Sequence, residues 1–235
     1  MSPRAVVLLS GGLDSATSAA AARRDGFEVH GLSVDYGQRQ RLELDAARRL
    51  ARALGLASHR VVAVDLRAIG GSALTDDAIA VPKDRTEAQM GADVPASYVP
   101  ARNTILLALA TGLAEVLEAD AIYLGINAVD YSGYPDCRPE FLEAFRAVAR
   151  LGTKRGVEGA PVAFVAPLIG LAKAGIVRLA RDLGVPVGDT LSCYDPRPPR
   201  AAGGPAVHCG RCDACLLRRK GFLDAGLPDP TLYER

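Results

Sequence analysis

Six residues near the start of the chain, Ser10-Gly11-Gly12-Leu13-Asp14-Ser15, restrict its fold more than any other stretch. They follow the apolar run Ala5-Val6-Val7-Leu8-Leu9 and precede an alanine-rich segment, 16–24. Such a run, a glycine turn and a strong helix former in direct succession read as a buried strand, a tight turn and a helix. Adjacent glycines let the backbone take positive φ and turn N–H groups inward. The helix start adds free amides and the positive end of its dipole, so the turn is suited to an anion. It is not a Walker A loop, because G-x-x-x-x-G-K-[ST] requires a lysine that the hexamer lacks. Ser10 and Ser15 can donate to phosphate oxygens. Asp14 would repel phosphate unless it caps the helix or shares Mg²⁺ with a nucleotide, and the metal-sharing role is the one adopted here.

The rest of the chain repeats the strand and helix pattern. Residues 28–34 read as a second strand. Leu42, Ala46, Leu50 and Leu54 share one face of a helix over 41–54, and 60–64 reads as a third strand. Further strands are expected at 121–126 and 162–165, with helices at 105–117, 140–150 and 171–183. Strands joined through helices pair in parallel with right-handed crossovers, so the expected fold is a doubly wound α/β domain on a mainly parallel five-stranded sheet. With 235 residues and 49% hydrophobic content, the chain has a core for one such domain over 1–188 plus a small region over 189–235. Lys+Arg 28 against Asp+Glu 27 leaves a net charge of +1, which gives no footprint for nucleic acid and points to small-molecule partners. The N-terminal apolar run is too short for a signal-peptide core and no stretch approaches a membrane span, so a cytoplasmic location is expected.

In open α/β sheets ligands bind at the carboxyl edge, and several polar segments fall there. Asp35-Tyr36-Gly37-Gln38-Arg39-Gln40 follows the second strand, placing Asp35 and Tyr36 for a nucleotide's sugar or base. Arg39 suits phosphate or carboxylate, or is a solvated loop arginine. Residues 65–100 lack a clean period and read as a long binding connection. They lead to Arg102, an anion contact at a helix start, and to Asn103, which with Thr104 is also a candidate cap. The fourth strand runs into 127–138, whose Asn127, Tyr131 and Tyr134 suit a flat heterocycle. Within it Asp130 or Asp136 can accept from an amidine edge and Arg138 can pair with a carboxylate. Cys137 is either a nucleophile or a small buried filler. Lys173, in the first turn of its helix, opposes the dipole and is better explained as a phosphate contact.

Cys193 with Cys209-Gly210-Arg211-Cys212-Asp213-Ala214-Cys215 supplies four thiolates for a closed tetrahedral site. One structural Zn²⁺ is the expected occupant, with an iron–sulfur cluster as the competitor and redox disulfides third. His208 adjoins Cys209 and either replaces one ligand or, as preferred, stands beside the site or in solvent, and Arg218, Arg219 and Lys220 read as a solvated basic patch.

Taken together, these residues carry a resemblance. The Ser-Gly-Gly-Leu-Asp-Ser loop resembles the pyrophosphate-binding PP-loop of ATP pyrophosphatases. The segments 35–39, 99–103 and 130–138 and the cysteine cluster resemble the 7-cyano-7-deazaguanine synthases, over residues 6 to about 220. One departure is Gln40, where that family often has His. The resemblance implies an ATP-dependent ligase that turns 7-carboxy-7-deazaguanine and ammonia into the nitrile through an adenylated carboxylate and an amide, acting as a homodimer. Pyrophosphate would sit on Ser10 to Ser15, Mg²⁺ on Asp14, and Lys173 would neutralise developing charge. Arg138 or Arg102 would orient the carboxylate, and Asp130 or Asp136 would read the guanine-like edge. Two rivals remain at this point: a PP-loop enzyme transferring sulfur to tRNA, and a zinc-containing protein that only senses nucleotide.

Overall fold

Alternation along the first strand decides how the layers form. In β1 (Arg4–Leu8) Ala5 and Val7 join one core cluster and Val6 joins another, so both sides of the strand are covered. The computed structural model describes residues 2–128 and 134–234. β1 pairs in parallel with β2 (Glu28–Asp35), which pairs with β3 (Ser58–Ala63). On its other side β1 pairs with β4 (Ala121–Tyr123), followed by β5 (Ala163–Val165). The order β3-β2-β1-β4-β5, all parallel, puts a reversal of winding between β1 and β4, where a crevice opens at the carboxyl edge.

One face of the sheet is covered by α1 (Leu13–Arg24), α2 (Leu42–Ala53), α7 (Lys173–Asp182) and α8 (Asp213–Ala225). The alanines of α1 let it lie close to the strands on one side and to α7 on the other, so all of 15–22 is buried. The other face carries α4 (Arg102–Val116) and α5 (Pro139–Gly152), with Leu107, Leu113, Leu142 and Phe145 packed over Val6, Leu32 and Ile122. The long connection holds only the short α3 (Glu87–Ala92), and α6 (Lys154–Val157) follows α5.

The structure differs from the sequence reading in four places. α4 begins at Arg102 because Ala101 takes a left-handed φ of 55° after Pro100, and neither Asn103 nor Thr104 caps it. Instead the Asp136 carboxylate, from a distant loop, accepts the Asn103 N–H at 3.2 Å. β4 stops at Tyr123, three residues early. The cysteine region continues into α8, whose buried face of Asp213, Cys215, Arg218, Gly221 and Phe222 carries no apolar period. Arg218 is not solvated but 1% exposed, donating to Thr231 Oγ1 (2.7 Å), Thr190 Oγ1 (2.9 Å), Ser192 Oγ (3.0 Å) and the Val187 carbonyl (3.1 Å).

Candidate active site

The turn after β1 is built from its own hydroxyls. Ser15 Oγ accepts from the Ser10 N–H (3.2 Å), lies 3.1 Å from Ser10 Oγ, and donates to the Gly12 carbonyl (3.0 Å). Gly11 has φ +90°, and a Cβ there would lie 2.3 Å from the Glu43 carbonyl, so α2 presses its first turn against the loop where only glycine fits. On the opposite side a Cβ on Gly125 would meet the Ser15 N at 2.7 Å, which brings the end of β4 against the start of α1. The amides of 12–15 therefore stand at the head of a helix in the crevice between β1 and β4, a site suited to phosphate.

Lys173 reaches this loop from α7. Its Nζ donates to Asp14 Oδ2 at 2.7 Å, and its stem crosses α8 at Gly221, where a Cβ would lie 2.3 Å from Lys173 Cγ. The pair offsets the unfavourable dipole at the start of α7 and places a cation beside the anion loop.

Around the loop lies a cleft of about 310 Å³, in the range of small-molecule sites. Tyr36, Arg102, Asn127, Tyr134, Asp136 and Cys137 line it together with Ser10, Asp14 and Lys173. Arg102 sits between Tyr36 and Tyr134. Burial alone would lower its pKa, but the two tyrosines and Cys137 outweigh this and hold it above its ordinary value. Its Nε is buried without a protein partner, which leaves a donor for an anionic group. Burial pushes Tyr36 up to about 12, and Tyr134, which meets Ser97 Oγ at 2.8 Å, is raised for the same reason. Burial and then Asp136 push the Cys137 thiol up to about 11, while Asn103 Nδ2 donates to its sulfur at 3.3 Å. Asn103 thus fixes the turn at 135–137, its Nδ2 also donating to the Asp136 carbonyl at 3.0 Å.

Three expected site residues stand elsewhere. Arg39 donates to the Asp76 and Ile79 carbonyls and to Asp77, tying down the long connection. Asp35 pairs with Arg41 and accepts the Gly37 N–H at 3.3 Å. Arg138 is exposed at the start of α5 and does not line the cleft. Asp130 and Tyr131 lie outside the described residues. In turn the cleft includes Gln40, Glu43, Ser192, Tyr194 and Arg218, none of which was singled out as a site residue. Glu43 carried a usable signal, an acidic residue in the first turn of a helix that starts at the ligand edge. Ser192, Tyr194 and Arg218 carried none, since they reach the cleft only through the folding of the cysteine region.

That region forms one wall of the cleft. The sulfurs of Cys193, Cys209, Cys212 and Cys215 are buried and lie within 4.8 Å of one another. Backbone N–H groups are aimed at them: Cys209 N (3.2 Å) and Asp195 N (3.3 Å) donate to Cys193 Sγ, Cys212 N (3.4 Å) to Cys209 Sγ, and Tyr194 N (3.5 Å) to Cys212 Sγ. Four thiols with donors directed at sulfur fit a closed tetrahedral metal site and leave no position for substrate.

The chain is 66% identical over 230 residues to the 7-cyano-7-deazaguanine synthase of Anaeromyxobacter sp. (strain Fw109-5), covering 98% of this chain and 96% of that one. It is 58% identical to the enzyme of Myxococcus xanthus (strain DK1622), covering 99% and 98%. Among solved structures, NMN synthetase from Francisella tularensis superposes with a TM-score of 0.47 at 17% identity, covering 97% of this chain and 79% of that one. Residues 4–226 match the profile of the queuosine biosynthesis protein QueC, and with these identities along nearly its whole length the chain belongs to the QueC family, the 7-cyano-7-deazaguanine synthases.

Proposed function

We propose that the family's ATP-dependent synthesis runs in the cleft at the β1/β4 crevice, from 7-carboxy-7-deazaguanine and ammonia through an adenylated carboxylate and an amide. A carboxylate is a poor electrophile at neutral pH and must first acquire a leaving group, which adenylation supplies. The observation that carries this reading is the convergence of the hydroxyl-lined glycine loop, the Lys173–Asp14 pair and the unpartnered Arg102 donor on one cleft. Ser10, Ser15 and the amides of 12–15 hold the departing pyrophosphate, and Lys173 meets the charge as it develops. Asp14 is the carboxylate that would share Mg²⁺ with the nucleotide, and the metal would add further charge neutralisation there.

Arg102 orients the substrate carboxylate, while Asp136 or Asn127 reads the guanine-like edge and Tyr134 flanks the ring. Arg138, Asp35 and Arg39 have no part in this version of the site, because their side chains stand outside the cleft. Sulfur transfer to tRNA is disfavoured, since it needs a reactive thiol where Cys137 is held protonated and the other cysteines are clustered. For the four-cysteine site we propose one structural Zn²⁺ per chain. Mass spectrometry of the product from carboxy-deazaguanine, ATP and ammonium tests the reaction. The nitrile with AMP and pyrophosphate is expected, and a sulfur-containing product or no AMP would overturn it.

A further inference from the structure

The titratable side chains lining the cleft differ in what they are free to do. Asp14 is engaged with Lys173 at 2.7 Å, and Asp136 accepts the Asn103 N–H. Burial keeps Tyr36 and Cys137 protonated, with pKa values up to about 12 and about 11. Lys173, Arg102 and Arg218 are cations. Glu43 stands apart among the described lining residues. Gln38 fixes one of its oxygens: Nε2 donates to Glu43 Oε1 (2.9 Å) and to the Val34 carbonyl (3.2 Å), while Gln38 Oε1 accepts the Tyr36 N–H (2.7 Å). Both N–H groups of that amide are used, and it cannot flip without losing all three bonds. Gln40, held to the Tyr36 hydroxyl at 3.3 Å, also hydrogen-bonds Glu43. Two amides that do not titrate thus hold a carboxyl at the cleft wall, beside the loop that carries Gly11.

The reaction needs a proton acceptor. At neutral pH ammonia is present as ammonium, whose lone pair is bonded to a proton and cannot attack carbon. We propose that Glu43 binds the ammonium ion against its carboxylate and takes its proton before the C–N bond forms. This rests on the ammonia-dependent amidation proposed for the cleft. One proton passes from ammonium to Glu43, the freed lone pair bonds the acyl carbon, the C–O bond to AMP breaks, and AMP leaves with that electron pair. The second surplus proton on nitrogen goes to solvent. Burial, opposed by the Gln38 hydrogen bond and then by Arg102, pushes Glu43 up to about 7, so at neutral pH it can both accept and release a proton. The charged and titratable groups facing it are Arg102 from α4, Tyr36 from the loop after β2, and Asp35 at the end of β2.

Glu43→Gln keeps an oxygen for Gln38 and removes the base. The test separates activation from amidation. Substrate-dependent exchange of pyrophosphate into ATP, measured without ammonium, should stay within about threefold of wild type. Amide formation from ammonium should fall by about 10²-fold or more, the usual contribution of a general base. Hydroxylamine, a nucleophile that is neutral at the same pH, should capture the adenylate equally well in both proteins. In the wild type, amidation by ammonium should rise with pH through about 7, while capture by hydroxylamine should not. Parallel loss of exchange and amidation in Glu43→Gln would overturn the assignment, as would unchanged use of ammonium. Absence of substrate-dependent exchange in the wild type would instead overturn the amidation reading beneath it.

Discussion

Cys137 faces the cleft where a covalent nucleophile would stand, but its surroundings favour the thiol. Burial and the neighbouring Asp136 carboxyl push it up to about 11, and the Asn103 amide donates to its sulfur. A group so rarely ionised at neutral pH is a weak nucleophile. Cys137→Ala is therefore expected to keep kcat within about threefold of wild type, because no covalent step is removed. A loss of a hundredfold would restore a thioester route. Glu43 has a second consequence at this scale, readable without substrate. Its carboxyl ordinarily ionises near 4.5 and in the fold only at about 7. Between these values the unfolded chain releases a proton that the folded chain retains. The stability Glu43 contributes below about pH 4.5 is thus lost progressively as pH rises to about 7. Glu43→Gln removes that penalty, so the variant should melt higher than wild type at pH 8, with the gap closing toward pH 5. Equal melting curves at both pH values would show that the carboxyl ionises freely.

At the scale of elements, the packing of α7 on α8 aims Lys173. Gly221 leaves a channel for the lysine stem, and a methyl group there would sit 2.3 Å from Lys173 Cγ. That atom is close to the backbone and cannot simply swing away. Gly221→Ala should pull Nζ off Asp14 and lower pyrophosphate release by about tenfold or more, while the better helix propensity of alanine offsets part of the packing cost in the melting temperature. Unchanged pyrophosphate release would show that Lys173 works without this packing. The same pair of helices marks how far the sequence could be read. β1, its glycine turn and α1 were legible because strand period, turn residue and helix former are local signals. α8 was not, because Cys215, Arg218 and Gly221 interrupt its buried face, and Arg218 is buried by bonds to residues 26 to 31 positions earlier and 13 later. The start of α4 was misplaced because its cap is an aspartate 33 residues away, a contact no local pattern encodes.

Across the whole molecule, the four-cysteine site holds up the cleft. Cys193 lies between Ser192 and Tyr194, both in the cleft wall, and the neighbouring Leu191 N–H donates to the Gly11 carbonyl at 2.8 Å. Cys212 is the residue from which α8 starts, and α8 carries Arg218 and the Gly221 channel for Lys173. The long connection is clamped to the same region by Lys83–Asp195 (2.7 Å), Arg85–Asp213 (2.9 Å) and Arg211–Asp84. Without a metal, four buried thiols must pack against one another at the centre of the small cluster that holds Leu191, Tyr194 and Ala214. Structural zinc sites contribute about 10–16 kcal/mol of apparent binding energy to such regions. Loss of the metal should therefore disturb the glycine loop at 10–15 and the lysine together. Titrating the protein with a chelator, with circular dichroism and calorimetric ATP binding followed in parallel, should show ATP affinity falling at least as early as helix content. The Cys212→Ser variant should show both defects at once, whereas Cys137→Ala, outside the cluster, should show neither. Full ATP affinity in a folded, metal-free chain would mean that the cleft wall stands without the metal.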